Sequence, residues 1–332
     1  MRQDDRAPFE RALQRARAAA FTNGDYAGHE SFMTAGEIRA LAARAGIGPG
    51  VSVLDVGCGI GGPGQLLARE TGCAYLGVDF SESAVAIARE RAPDLRFAIT
   101  RVPPLPAGSF DVVLLLEAML AIEDKGALVR AVAGSLPPGG RFAFSLEEGE
   151  PLTAAERAAM PDPDTVWLTP LATIEQSLRS AGLTIPWQAD HSRAHRATAQ
   201  ALHDAYAADA ESIAAALGRR ALEDILAAHR LWIDWLGEGR VRKLALVAER
   251  PPHGRRHTMD GWHGRSTSPA RSTRTGVSAS SAPRPASTSA SPPRSRTTRP
   301  PTPPGPRSSA SRSARSGTTT SGPASTRSAP AR

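Results

Sequence analysis

Two cysteines in 332 residues cannot build a disulfide framework, which excludes a small secreted fold stapled by bridges. Cys58 and Cys73 point instead to a reducing compartment, and a cytoplasmic protein is expected. Long hydrophobic runs are also missing. The longest strongly apolar stretch, Val112 to Leu116, has a strand's length and falls far short of a bilayer span, so no membrane insertion is expected. The first residues, Met1-Arg-Gln-Asp-Asp-Arg6, lead into an Arg-rich helix rather than an apolar segment with a cleavage site, and no secretory signal is expected either.

Residues 253–332 lack the most. They contain no Leu, Ile, Phe, Tyr, Lys, Glu, Asn, Gln or Cys, and one acid, Asp260, beside fourteen Arg. Such a segment cannot bury a core and is expected to be a disordered tail. Fourteen positive charges less one negative leave it +13, so the net +7 of the whole chain resolves into −6 for residues 1–252. The basic balance therefore belongs to the tail. Its residue set is that of GC-rich codons read out of frame, and it suits non-specific attraction to polyanions rather than specific nucleic-acid binding.

What is present is concentrated in one stretch, Val53-Leu-Asp-Val-Gly-Cys-Gly-Ile-Gly-Gly-Pro-Gly64. It predicts a buried strand (51–56), a glycine-rich turn, and a helix opening near Pro63, because proline is favoured in a first helical turn. Gly57, Gly59 and Gly61 can take positive φ and carry no side chain, so backbone N–H groups can approach a ligand at the carboxyl end of a parallel strand. Gly57, Gly59 and Gly62 also satisfy the dinucleotide spacing G-x-G-x-x-G, and a tight turn that binds nothing is a third reading. Asp55 discriminates: a carboxylate two residues before the first glycine faces a pyrophosphate unfavourably but suits a ligand carrying an ammonium group.

On these residues the chain resembles the class I S-adenosylmethionine-dependent methyltransferases, whose first motif is an acid followed by G-x-G-x-G. The resemblance implies that Asp55, Gly57, Cys58, Gly59 and Gly61 hold the methionine part of S-adenosylmethionine. Asp79, 22 residues beyond Gly57 at the tip of the second strand, can accept both hydrogen bonds of a ribose diol. It resembles the family's second motif, with Phe80 flanking the adenine; its other possible role is to cap the next helix, for which Ser81 is itself competent. Where the family often has an acid near positions 99 and 100, this chain has Ile99 and Thr100, which passes the adenine contact to backbone or to the Thr100 hydroxyl. Within the class the chain looks similar to bacterial small-molecule methyltransferases of the sarcosine/dimethylglycine and quinone-biosynthesis kind.

Strands alternating with helices predict an α/β fold, a doubly wound and mostly parallel sheet. Strands are expected at 51–56, 74–80, 95–100, 112–117, 141–146, 183–187 and 243–248, with residues 147–169 irregular. The resemblance makes this the seven-stranded Rossmann-like methyltransferase sheet, closed by an antiparallel last strand. Residues 1–46 are expected to form an N-terminal helical cap, 47–252 the S-adenosylmethionine-dependent domain with a helical insertion at about 191–237, and 253–332 the tail.

A small-molecule acceptor is expected beneath the cap and the insertion, with nitrogen or oxygen favoured over carbon as the methylated atom. Candidate bases are Glu117 at the carboxyl end of strand four, His29, His229, His191 and His195. Glu117 could equally hold the cofactor's amino-acid part or a backbone amide. His229 lies on the apolar helical face of Leu222, Ile225, Leu226, Ile233 and Leu236, where a hydrogen-bonded core histidine is the plain alternative. Trp167, Trp187, Trp232 and Trp235 lie in or near the roofing segments, as acceptor contacts or as core. No metal site is expected. An NAD-linked oxidoreductase would use the same glycines and Asp79, a base methylase would carry an N-P-P-aromatic signature in place of Glu117-Ala-Met-Leu120, and a non-catalytic cofactor-binding protein would bind without turnover.

Overall fold

The computed structural model describes residues 6–22, 24–160 and 163–252 of the chain. The expected tail, 253–332, lies outside the described residues, as do residues 1–5.

Seven strands form one sheet in the order β3-β2-β1-β4-β5-β7-β6. They are β1 (Ser52–Val56), β2 (Ala74–Asp79), β3 (Arg96–Ile99), β4 (Val112–Leu115), β5 (Arg141–Glu148), β6 (Thr184–Asp190) and β7 (Arg242–Glu249). β1 to β5 pair in parallel, while β7 runs antiparallel to both β5 and β6. This is the expected doubly wound sheet, and its strand order reverses between β1 and β4, where ligands of open α/β sheets bind.

The pleat of β1 sorts its side chains. Leu54 and Val56 join a fully buried layer with Val113, Leu115, Phe142 and Phe144, covered by α5 (Lys125–Ser135) through Leu128, Val129 and Val132 and by α7 (Leu171–Ser180) through Ile174 and Leu178. Val53 faces the other way, into a layer with Val112 and Leu114, covered by α2 (Ala35–Ala45), α3 (Gly62–Thr71) and α4 (Glu82–Arg91). Each fully buried Leu or Val stabilises such a layer by roughly 1.5–3 kcal/mol, relative to leaving it in water. α2 is pinned at its start by a capping box between Thr34 and Glu37 and ends on Gly46 at φ 72°, as its sequence demands.

The remaining helices build a second core above the sheet's carboxyl edge. α1 (Arg6–Ala20), α8 (Ser192–Ala208), α9 (Ala210–Leu217) and α10 (Arg219–Glu238) bury Leu13, Ala16, Leu202, Tyr206, Ile213, Leu222 and Ile233 against one another. From the N-terminal segment the cap draws α1 and the stretch after it, through Phe21 and Phe32. α2, expected within a 1–46 cap, packs on the sheet instead, because Ile38, Leu41, Ala42 and Ala45 form an apolar stripe that the sheet covers. Residues 147–169, expected to be irregular, contain a short helix α6 (Ala154–Ala159). Its Thr153–Glu156 capping box is tied to Arg240, and it buries nothing.

Candidate active site

The glycine turn sits at the β1 tip, tied to β2 from both sides. The Gly57 and Cys58 amides donate to the Val78 carbonyl at 2.8 and 3.1 Å, and the Gly59 amide donates to Asp79 Oδ2 at 2.9 Å. Gly61 donates to the Cys58 carbonyl at 3.0 Å. These four amides are engaged within the fold, so the turn does not offer them to a ligand as the sequence led us to expect. It offers close approach instead. Gly59 has φ 53° and no atom within 4 Å of where a Cβ would stand, whereas a Cβ on Gly57, at φ 73°, would meet the Ala118 Cβ at 2.7 Å.

Asp55 lies elsewhere than expected. Two residues before Gly57, the pleat turns it with Val53 into the layer under α3. It is 2% exposed there, and Oδ2 accepts from the Tyr75 hydroxyl at 2.7 Å. A ligand's ammonium on the open face of the turn is therefore not its partner. Burial pushes its carboxyl up to about 6 against the Tyr75 hydrogen bond, which lowers it. Cys58 faces the same layer, and burial beside two carboxylates raises its thiol well above the ordinary range; it is a packing residue whose side chain stays neutral.

At the β2 tip, Asp79 accepts from Gly59 through Oδ2 and from the Ser81 amide through Oδ1, at 2.9 Å each. Ser81 itself caps α4, its hydroxyl accepting from Ala84 at 3.2 Å. Each carboxylate oxygen has two lone pairs, so Asp79 retains acceptor capacity toward the crevice. Beside it stand Phe80 at 58% and Ile99 at 47% exposure, the exposed large hydrophobics among the described residues. Ile99 is register-paired with Asp79, and the Thr100 amide donates to the Asp79 carbonyl at 2.8 Å. An exposed apolar pair flanking a carboxylate at the β2 and β3 tips, beside the switch point, is a slot for a flat apolar ring joined to a diol. The residues present thus fit S-adenosylmethionine: an open glycine cradle, a carboxylate for the ribose and two apolar walls for the adenine.

A cavity of about 290 Å³ opens under the cap, lined among others by His29, Phe32, Glu117, Glu147, Trp232 and Lys243. Glu117 lies two residues beyond β4 at φ 55°, the positive φ of a non-glycine residue being sparsely populated and concentrated at functional sites. Its neighbour Ala118 abuts Gly57, so the cavity and the glycine turn meet at the β4 tip. The structure brings three candidate bases, Glu117, His29 and His229, onto this one cavity.

Their chemistry differs. Burial raises the Glu117 carboxyl, but the Lys243 ammonium, with His195 and Ser145 acting in the same direction, more than offsets this and holds it well below the usual carboxylate range. Glu117 is then an ionised anchor and a poor general base at neutral pH. His29 Nε2 lies 2.8 Å from the Met33 carbonyl. That acceptor requires the proton on Nε2, which leaves Nδ1 as a buried lone pair without a partner. Burial pushes His29 down to about 4, so it is neutral at pH 7. His229 Nδ1 is bound in the same way to the Ile225 carbonyl at 2.8 Å, and burial lowers its pKa too.

His191 and His195 belong to another network. Glu37 Oε1 meets His191 Nδ1 at 2.9 Å, while Oε2 meets His195 Nε2 at 3.2 Å and accepts from the Thr34 amide at 2.8 Å. The three side chains are close enough to hold a cation, yet both Glu37 oxygens are already engaged in clamping α2 to α8. Of the four tryptophans, Trp232 lines the cavity. Trp235 is core, Trp187 packs on the sheet, and Trp167 stacks under Arg157 at 4.8 Å.

Sequence reasoning missed Glu147 and Lys243, which pair across the β5–β7 register. Lys243 Nζ donates to both Glu117 and Glu147. A signal was available: of forty Lys and Arg only Lys125 and Lys243 are lysines, and both are 4% exposed. Where a chain that otherwise uses arginine places lysine, a compact point charge is needed.

Residues 54–144 match the family model described as "Methyltransferase domain". That stretch, from β1 into β5, is similar to a methyltransferase domain. Methyltransferase GfsG of Streptomyces halstedii is 34% identical over 113 residues, 32% of this chain and 41% of its own length; the chain spans about two fifths or less of the first curated relatives it matches. Among solved structures, phosphoethanolamine N-methyltransferase 2 of Haemonchus contortus, in complex with phosphomonomethylethanolamine and S-adenosylhomocysteine, superposes with a TM-score of 0.61 at 20% identity, covering 74% of this chain and 60% of its own. The [4+2]-cyclase SpnF superposes at 0.60 and 22%, covering 75% and 95%. At such identities these likenesses establish the class I methyltransferase fold, and a cyclase among them shows that the fold alone does not name the reaction.

Proposed function

We propose that this chain transfers a methyl group from S-adenosylmethionine to a small-molecule acceptor, at nitrogen or oxygen, enclosed in the cavity beneath the cap. The observation that carries the reading is the set at the β1, β2 and β3 tips: Asp79 beside the open face of Gly59, flanked by Phe80 and Ile99. When bound, S-adenosylmethionine supplies an electrophilic methyl group on a sulfonium. The protein's part is positioning, since a displacement of this kind gains most from holding the nucleophile at near-attack distance, about 3–3.5 Å, in a site closed to water. Ala118, pressed on Gly57, joins that site to the cavity. Trp232 and Phe32 pack edge to face at 6.2 Å and form its apolar wall. Both candidate bases are held well below neutral, His29 at about 4 being the more basic of the two, so an acceptor that brings its own free lone pair suits this site better than one that needs a strong base.

An NAD-linked oxidoreductase is not favoured, since residues 54–144 match a methyltransferase model. No helix among the described residues is long and apolar enough to cross a membrane, and the free thiols of Cys58 and Cys73 suit a reducing compartment such as the cytoplasm. The test is incubation of the protein with methyl-labelled S-adenosylmethionine and a host metabolite extract. Mass spectrometry should find a labelled product that requires protein and is lost with Asp79→Ala. Cofactor binding without any labelled product would favour a non-catalytic or cyclase-like role.

A further inference from the structure

The cavity wall is one positive charge short. Lys243 Nζ is shared by Glu117 and Glu147, two carboxylates against one ammonium. Each carboxylate keeps a second oxygen, Glu117 Oε1 and Glu147 Oε2, that is buried and has no hydrogen-bond partner. The other ionic pair on the cavity, Arg17 with Glu30 at 3.2 Å, is balanced in itself. A buried acceptor left without a donor is destabilising, and more so when charged, so a wall of this kind needs an occupant to complete it. The rings point the same way. The Lys243 ammonium already lies 5.3 Å from the Phe32 ring centroid and 5.7 Å from that of Trp232, a surface that attracts cations.

We propose that Glu117, Glu147 and Lys243 form a cation subsite, and that the acceptor carries a protonated amine which is held there by its charge and its N–H groups. This rests on the cavity being the acceptor site. Because Glu117 is held ionised and the wall favours a cation, the amine keeps its proton there. An ammonium has no lone pair, so it serves as the handle, and the methylated atom is another one on the same molecule. The rival occupant is the cofactor's own amino group, which Glu117 at the β4 tip could reach. Glu147, on β5 and one strand further from β1, separates the two.

The experiment is calorimetry on the full chain, with and without saturating S-adenosylhomocysteine, using two matched pairs: tyramine against 4-ethylphenol, and butylamine against butanol. Each amine should bind roughly tenfold or more tightly than its neutral partner, the scale of hydrogen bonds to charged groups. Glu147→Gln should remove that advantage while leaving affinity for S-adenosylhomocysteine within about twofold. Equal or weaker amine binding, or no amine binding, overturns the proposal. So does a Glu147→Gln variant that loses cofactor affinity and keeps the amine preference. The ligand pairs are compared on the unaltered protein, so the outcome does not depend on the variant folding. If S-adenosylhomocysteine itself fails to bind, the methyl-transfer reading fails separately, and the amine preference is still measured in its absence.

Discussion

The Tyr75 hydroxyl donates to Asp55 Oδ2 at 2.7 Å beneath the glycine turn, with both residues buried. The pair makes the floor of the turn sensitive to pH. Burial raises the Asp55 carboxyl to about 6 from 3.8, so the folded state binds a proton there that the unfolded state has already released. Stability contributed by the protonated form is fully present below pH 4 and is lost as pH rises through 6. Asp55→Asn cannot ionise. Its unfolding free energy relative to wild type should rise by up to about 3 kcal/mol between pH 4 and pH 7, measured by denaturant titration. Tyr75→Phe should cost about 1–3 kcal/mol at pH 7 and less at pH 4. A pH-independent difference for Asp55→Asn would remove the buried-charge account.

Two glycines in the turn should separate stability from binding. A methyl on Gly57 meets Ala118 and also strains the backbone at φ 73°, so Gly57→Ala should lose about 2–4 kcal/mol from left-handed strain and overpacking together. A methyl on Gly59 meets nothing in the fold. Gly59→Ala should cost only about 1–2 kcal/mol of backbone strain yet weaken S-adenosylhomocysteine binding at least tenfold. Thermal melts and calorimetry read the two effects; unchanged binding in Gly59→Ala would mean that nothing approaches the turn from its open side.

The Lys243 cluster predicts a pattern in the kinetics. Lys243→Met leaves two buried carboxylates unpaired and should cost about 3–5 kcal/mol. Glu117→Gln should raise KM for the acceptor more than it lowers kcat, because the carboxylate anchors rather than takes a proton. His29, held at about 4, stays unprotonated above that value. His29 should therefore impose no loss of kcat/KM between pH 5 and 8, with a fall from this group only as pH approaches 4. A hundredfold fall in kcat for Glu117→Gln would restore it as the base.

The fold was legible because its signals are local. Alternating apolar strands and Ser81 as a helix cap put the strands within about three residues of their observed bounds. Asp55 was misplaced because the spacing of a motif does not say which face of the pleat a side chain takes. Counting alternation from Val53 would have turned it under α3. The scarcity of lysine singles out Lys243, but not its partner: the meeting of Glu147 and Lys243 depends on the β5–β7 register, a pairing of residues almost a hundred apart in the chain. α6 escaped because six residues with no buried face carry no periodic signal.

The chain beyond Pro252 should be dispensable. β7 closes the sheet, and Arg250 exchanges backbone hydrogen bonds with the Gly139–Gly140 turn, so among the described residues the sheet is complete before residue 253. A chain ending at residue 252 should keep the melting temperature and the cofactor affinity of the full chain. A clear drop in either would show that residues 253–332 are part of the domain.

The central claim is that the β1 turn and the β2 tip together hold S-adenosylmethionine. Calorimetric titration of S-adenosylhomocysteine and of NAD into wild type and Asp79→Ala tests it most directly. The demethylated cofactor should bind and NAD should not, and Asp79→Ala should weaken the binding by about 1–3 kcal/mol, the scale of lost hydrogen bonds to a charged group. Preferential binding of NAD, or S-adenosylhomocysteine binding indifferent to Asp79, would contradict it.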